Sequence, residues 1–200
     1  MTNGIWKDSL VTLIDLIDTK SIAEEGNARA TTLMRKLHSL VQREMAVSMR
    51  LHSHAYCWND SALLLAHLDR STQTSRSALN EISALKKKID LKVGRTYAIC
   101  IKGRTFPDKN LHDSSSENSA DEHARCVVIK ASSYAMGNCY RVEERARRKK
   151  LCADWYIDCR VAKSIPTRAM QYFYVDMLPS RKRRRVYMAN GYLHPEPRNS

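Results

Sequence analysis

Leu10-Val11-Thr12-Leu13-Ile14-Asp15-Leu16-Ile17 and Tyr56-Cys57-Trp58-Asn59-Asp60-Ser61-Ala62-Leu63-Leu64-Leu65 are the stretches that decide the fold. The first is a nearly continuous apolar run with one acid close to its end, the pattern of a central strand covered on both faces. The second reads as two strands, His54–Trp58 and Ser61–Leu68, joined by a tight turn at Asn59-Asp60. Asparagine and aspartate both tolerate turn geometry. A carboxylate at the end of a buried strand is costly unless something cationic answers it. If the turn brings Asp60 beside Asp15, the two repel each other, and a divalent metal between them removes that repulsion. Asp15 and Asp60 are therefore the candidate metal ligands.

Outward from these two stretches the periodicity changes. Ser21 followed by Glu24 has capping-box spacing. Ile22, Ala30, Leu33, Met34, Leu37, Leu40 and Val41 then recur at helical intervals, which predicts one long helix to about Met49. A second helix carries Leu79, Ile82, Leu85 and Ile89 on one face, and Arg95–Lys102 reads as a strand. Thr105–His123 is polar, with Pro107 and Ser114-Ser115-Ser116, and reads as a mobile excursion. Arg125–Lys130 is the next predicted strand. Ser132-Ser133 caps a helix over Tyr134–Lys150, with Arg141, Arg145 and Arg148 along its later face. Trp155–Val161, Gln171–Asp176 and Arg185–Met188 read as strands; Arg181–Arg185 makes the C-terminal extension basic, and the tail His194-Pro195-Glu196-Pro197 reads as extended. The order predicts a single domain over residues 1–200: an α+β fold of the ferredoxin-like, split βαβ kind. Its central antiparallel or mixed sheet has helices on one face.

The chain is 200 residues long, 43% hydrophobic and 28% charged, enough apolar content to bury a core. No apolar run approaches the ~20 residues that cross a bilayer. Met1–Asp8 lacks the basic and apolar regions of a signal peptide, so a cytoplasmic location is expected. The six cysteines form no C-x-x-C and read as reduced thiols rather than as a zinc site or disulfide framework. A net charge of +13 favours an anionic partner, whether nucleic acid, a nucleoside triphosphate or an acidic surface. The cations cluster in Arg141–Lys150 and Arg181–Arg185, where a solvated helix face and a basic loop are the plain alternative.

An acid at the end of strand one, a helix, and a second acid at a hairpin tip resemble the class III nucleotide cyclases. Their first strand reads F-x-D-I-x-G-F, which Leu13-Ile14-Asp15-Leu16-Ile17-Asp18-Thr19 answers; their hairpin reads K-x-x-G-D, which Tyr56-Cys57-Trp58-Asn59-Asp60 answers. The resemblance spans about the first 150 residues. Tyr56 stands where purine cyclases place a base-contacting lysine, and Asp18 and Asn59 replace glycines. The family's late-helix Asn and Arg, four residues apart, are met in part by Asn138 with Arg141 and Arg145. Tyr56, Trp58-Asn59-Asp60-Ser61 and Ala131-Ser132-Ser133-Tyr134-Ala135 look most like the pyrimidine cyclases of the bacterial anti-phage system called Pycsar.

What this resemblance implies is specific. UTP or CTP would be converted to cyclic UMP or cyclic CMP plus pyrophosphate, and the product would activate a separate effector. Two Mn²⁺ or Mg²⁺ ions per site would sit on Asp15 and Asp60, with the backbone carbonyl of Leu16 completing one shell. Asn138 and Arg141 would serve catalysis, and Tyr56, Lys20 and Arg145 would bind substrate. The site would lie between two subunits of a head-to-tail homodimer, with neither nucleic acid nor membrane expected as a partner. The alternatives are a basic nucleic-acid-binding regulator and a cyclase-like domain that binds nucleotide without turnover.

Overall fold

Alternation along the first strand organises the molecule. In the computed structural model, which describes residues 7–47, 53–69, 74–105, 133–163, 165, 170–191 and 193, β1 spans Lys7–Leu16. Leu10, Ile14 and Leu16 enter one core, and Val11 and Leu13 enter another on the opposite face. Successive strand side chains point to opposite faces, so Asp15 shares the second face with Val11 and Leu13.

The strands are β1, β2 (Ser53–Trp58), β3 (Ser61–His67), β4 (Thr96–Thr105), β5 (Trp155–Asp158), β6 (Gln171–Met177) and β7 (Lys182–Ala189). The helices are α1 (Thr19–Glu25), α2 (Asn27–Val47), α3 (Ser75–Lys92), α4 (Tyr134–Arg148) and α5 (Cys159–Ala162). The described strands form one sheet in the order β2-β3-β1-β4-β5-β7-β6. Only β4 and β5 pair in parallel, so the sheet is mixed. This is the α+β arrangement expected from the sequence. The predicted strand at Arg125–Lys130, the excursion beyond Thr105 and the C-terminal tail lie outside the described residues.

Four details depart from expectation. The predicted strand Trp155–Val161 stops at Asp158, whose side chain accepts from the Arg160 amide and caps α5 from Cys159 onward. The long first helix is two helices, because Gly26 ends α1 and starts α2. Its amide closes on the Ile22 carbonyl at 3.1 Å, and its own carbonyl accepts from Ala30 at 3.4 Å. The Ser21 cap is unused, since α1 already begins at Thr19 behind a left-handed Asp18 (φ 64°). Helices also cover both faces rather than one. Leu37, Leu40 and Val41 of α2 and Leu79, Ile82 and Ile89 of α3 pack against Leu10 and Ile14. Ala135, Cys139, Val142 and Ala146 of α4 pack on the opposite side against Val11, Leu13 and Ile99. Apolar strand residues of both parities, such as Leu63 and Leu64, need two covers.

Helix α4 sits unusually close to the sheet. A Cβ added at Gly103 would meet the Ala135 Cβ at 2.6 Å. Gly103→Ala is therefore expected to push α4 off β4 and cost about 1–3 kcal/mol. Thermal melting checks this: a drop of several degrees is expected, and an unchanged melting temperature would contradict the contact. Among the described residues no helix is long and apolar enough to cross a membrane.

Candidate active site

Three chain segments converge where β1 ends. The β2–β3 hairpin turns at Asn59, whose φ of 45° lies in the left-handed region that asparagine tolerates. The Leu16 amide donates to the Asp60 carbonyl at 3.0 Å, and the Ile17 amide to the Arg95 carbonyl at 2.9 Å. His38 Nε2 of α2 lies 2.9 Å from the Asn59 carbonyl oxygen, and the Thr19 hydroxyl opening α1 donates to Asp60 Oδ2. These contacts fix the hairpin tip against the end of β1, so Asp15 and Asp60 are brought together as the sequence suggested.

Register completes the site. Asp15 is paired across β1 with Ser61 of β3 on one side and Tyr97 of β4 on the other. The Ser61 hydroxyl donates to Asp15 Oδ1, and the Tyr97 hydroxyl donates to Oδ2 at 2.7 Å. Tyr97 packs edge-on against Tyr156 at 6.1 Å between centroids, and Tyr156 against Phe173 at 6.0 Å. The hydroxyl that holds Asp15 is therefore itself anchored in the second core.

Burial pushes the Asp15 carboxyl up to about 6, only partly opposed by the two hydroxyl hydrogen bonds, and the charges of Asp60 and Glu143 raise it further. Burial and the Asp15 charge also raise the Tyr97 phenol far above its ordinary range, so it stays a donor. A cleft of about 320 Å³ opens here, lined by Asp15, Leu16, Asp18, Tyr97, Glu143 and Arg147 among others. Glu143 is in turn paired with Arg147. The sequence alone gives no sign that Ser61, Tyr97 and Glu143 gather around Asp15.

Two carboxylates and the Leu16 carbonyl make a set of hard oxygen donors, suited to Mg²⁺ or Mn²⁺. Among the described residues, no group of three or more His, Cys, Asp or Glu side chains is gathered as a metal cluster. The two-carboxylate set still fits. An acid raised by burial, and further by a neighbouring acid, is the group a divalent cation relieves, and Mg²⁺ usually takes one or two carboxylates and completes its shell with water and phosphate. Tyr97→Phe and Ser61→Ala each remove one orienting donor. Each is expected to weaken Mn²⁺ binding about 10–100-fold with little change in melting, as calorimetric titration of the metal would show.

The other expected residues lie elsewhere. Lys20 is almost fully exposed and pairs with Glu24 at 4.0 Å. Tyr56 is half-buried against the second core. Arg141, Glu144, Arg145, Arg148, Asp176 and Arg183 line a separate cleft of about 420 Å³. It lies across α4 from the one holding Glu143 and Arg147. Asn138 borders a third cleft, and its amide is committed: Nδ2 donates to the Leu178 carbonyl at 3.2 Å, and Oδ1 accepts from the Leu178 amide at 2.8 Å. Asn138 thus clamps the β6–β7 turn. No described cleft gathers Asp15 with Asn138, Arg141 or Arg145 within one chain.

No family model and no curated protein matches the chain by sequence. Solved structures do match by shape. The adenylyl cyclase CyaB from P. aeruginosa superposes with a TM-score of 0.56 at 11% identity, over 98% of this chain and 100% of that one. The guanylyl cyclase Cya2 gives 0.55 at 11% identity, over 98% and 97%. The guanylyl cyclase domain of the RhoGC fusion protein from the aquatic fungus Blastocladiella emersonii gives 0.52 at 13% identity, over 93% and 97%. Identities this low speak to architecture alone. With TM-scores above 0.5 and nearly end-to-end coverage of both chains, the chain has the class III nucleotide cyclase fold.

Proposed function

We propose that this protein is a pyrimidine nucleotide cyclase that converts UTP or CTP to the cyclic monophosphate and pyrophosphate. The observation that carries the reading is the meeting of Asp15 and Asp60 at the end of β1, in a fold shared with purine cyclases. The ribose 3′-oxygen would attack the α-phosphorus as pyrophosphate leaves. Divalent cations bound at Asp15, Asp60 and the Leu16 carbonyl would supply Lewis acidity toward the 3′-hydroxyl and the phosphates.

The chain's own groups divide the remaining work. Ser61 and Tyr97 hold the Asp15 carboxylate in one orientation. Arg141 and Arg145 carry the cationic donors that negative charge building on the phosphates needs. They line a cleft apart from Asp15, so the reading requires a second copy, head to tail, to present them to the first copy's acids. Asn138 acts in this reading by holding the β6–β7 turn beside α4. Tyr56 replaces a lysine that would suit a purine and is assigned to the smaller base, and Lys20 to the triphosphate. The product would serve as a second messenger for a separate effector in defence against phage.

The test is product identity. Purified protein is incubated with each of the four NTPs and Mn²⁺, and products are resolved by mass. Cyclic UMP or cyclic CMP with equimolar pyrophosphate is expected. Purine cyclic nucleotides alone would overturn the base assignment, and the absence of any cyclic product would overturn the activity.

A further inference from the structure

The last two strands carry a surface that extends beyond the cyclase reading: Tyr174, Asp176 and Arg183 border the Arg141–Arg145 cleft, while Tyr172 and Arg185 line none of the described clefts. β6 is the edge of the sheet, paired only with β7 among the described strands. One face of this ribbon is core, through Phe173, Val175, Met177 and Val186. The other face holds three cross-strand rungs: Tyr172 with Tyr187, Tyr174 with Arg185, and Asp176 with Arg183. Alternate residues put successive rungs about 7 Å apart.

These side chains form an interleaved stack rather than a scatter of charges. The Arg185 guanidinium lies 5.1 Å from the Tyr172 ring centre, and that of Arg183 lies 4.4 Å from Tyr174. Tyr172 stands 5.7 Å from Tyr174 and 6.0 Å from Tyr187, yet remains 48% exposed. The neighbouring Lys182 and Arg183 are exposed too, and the whole chain carries +13. A plain solvated edge needs charges but no aromatic platform. An acidic peptide would be answered by the charges but offers no flat rings. Unpaired bases use both features, stacking on aromatic and guanidinium planes while the backbone follows the cations.

We propose that the outer face of the β6–β7 ribbon binds single-stranded nucleic acid. Bases stack on the exposed Tyr172 ring and on the guanidinium planes of Arg183 and Arg185, and phosphates track Lys182 and the arginines. Tyr172 and Arg185 line neither the Asp15 cleft nor the one holding Arg141 and Arg145, so strand binding at these two residues is read independently of the cyclase reading. A duplex hides its base faces and engages the ribbon through phosphate alone.

Fluorescence anisotropy on the full chain tests this with a labelled oligouridylate of about 20 nucleotides, longer than the ~4–16 that one such site covers. A duplex of the same length and polyglutamate serve as competitors. The single strand should bind, lose affinity as salt rises, and resist displacement by either competitor. Tyr172→Ala should weaken binding about tenfold, and Arg185→Gln should weaken it while lowering the log–log salt slope by about 1. Both variants should retain wild-type circular dichroism and cyclic-nucleotide synthesis, and Asp15→Asn should bind the strand as wild type does. No binding, equal competition by duplex or polyglutamate, or wild-type affinity in both folded ribbon variants would overturn the proposal.

Discussion

Asp15→Asn is expected to lower turnover at least ~10³-fold while raising the melting temperature. On the proposed reading the loss follows from removing a charged ligand where the cations would be worth several kcal/mol in the transition state, each 1.36 kcal/mol being tenfold in rate. The gain follows from the environment of the acid. Burial penalises the Asp15 charge and pushes its carboxyl up to about 6, well above the ordinary carboxylate range. The native state therefore holds the proton more tightly than the unfolded chain. That contribution is fully present below about pH 4 and is lost as pH rises through 6. At pH 8 the wild type carries the full penalty and the asparagine variant carries none. Allowing for solvent screening of a partly exposed group, the difference is on the order of 1–2 kcal/mol, or several degrees of melting temperature. Melting curves at pH 5 and pH 8 check the sign: the variant's advantage should shrink as the medium is acidified. Parallel loss of stability and activity at pH 8 would mean that Asp15 is an ordinary structural aspartate. Asp60→Asn should lose turnover to a similar degree, and it also loses the carboxylate that accepts from the Thr19 hydroxyl.

The second large effect is recovery of activity on mixing two dead proteins. Asp15 and Arg145 line different clefts on either side of α4. In a head-to-tail dimer, each site takes its acids from one chain and its cations from the other. Asp15→Asn and Arg145→Ala should each be inactive alone. Random exchange puts half of the molecules into mixed dimers, each with one doubly damaged site and one intact site. Pyrophosphate release should return to about a quarter of the wild-type rate. Recovery should fail for Asp15→Asn mixed with Asp60→Asn, because both lesions fall on the same half of the site. Equal recovery in the two mixtures, or none in either, would contradict the shared site.

The parts legible in the sequence are those set by local pattern. An apolar run ending in an acid and a two-residue turn of asparagine and aspartate declare β1 and the hairpin without any knowledge of the rest. The partners of Asp15 were hidden because register is non-local. Ser61 enters the sequence reading only as part of the hairpin stretch, and Tyr97 only as a residue of the Arg95–Lys102 strand, yet both sit directly across from Asp15. Glu143 was masked by the arginines around it. Its place beside the buried stripe of Cys139, Val142 and Ala146 is the signal that separates it from the solvated face. Asn138 shows the opposite limit. Its residue type and place on the late helix suggested chemistry, but both polar ends of its amide are occupied by one backbone residue forty positions away. Helical periodicity continued through Gly26 in the sequence, although the chain turns there. Helices on both faces agree with the opening run, whose lack of alternation already reads as a strand covered on both sides, and depart only from the one-sided helix layer expected of the fold type.

Paramagnetic titration with Mn²⁺ in the presence of a non-hydrolysable UTP or CTP analogue measures directly whether Asp15 and Asp60 share cations. Binding of about two ions per site in the wild type is expected. Loss of both on Asp15→Asn or Asp60→Asn, in proteins that melt cooperatively, is the outcome required by the geometry at the end of β1. Unchanged Mn²⁺ binding in the folded double variant would contradict it.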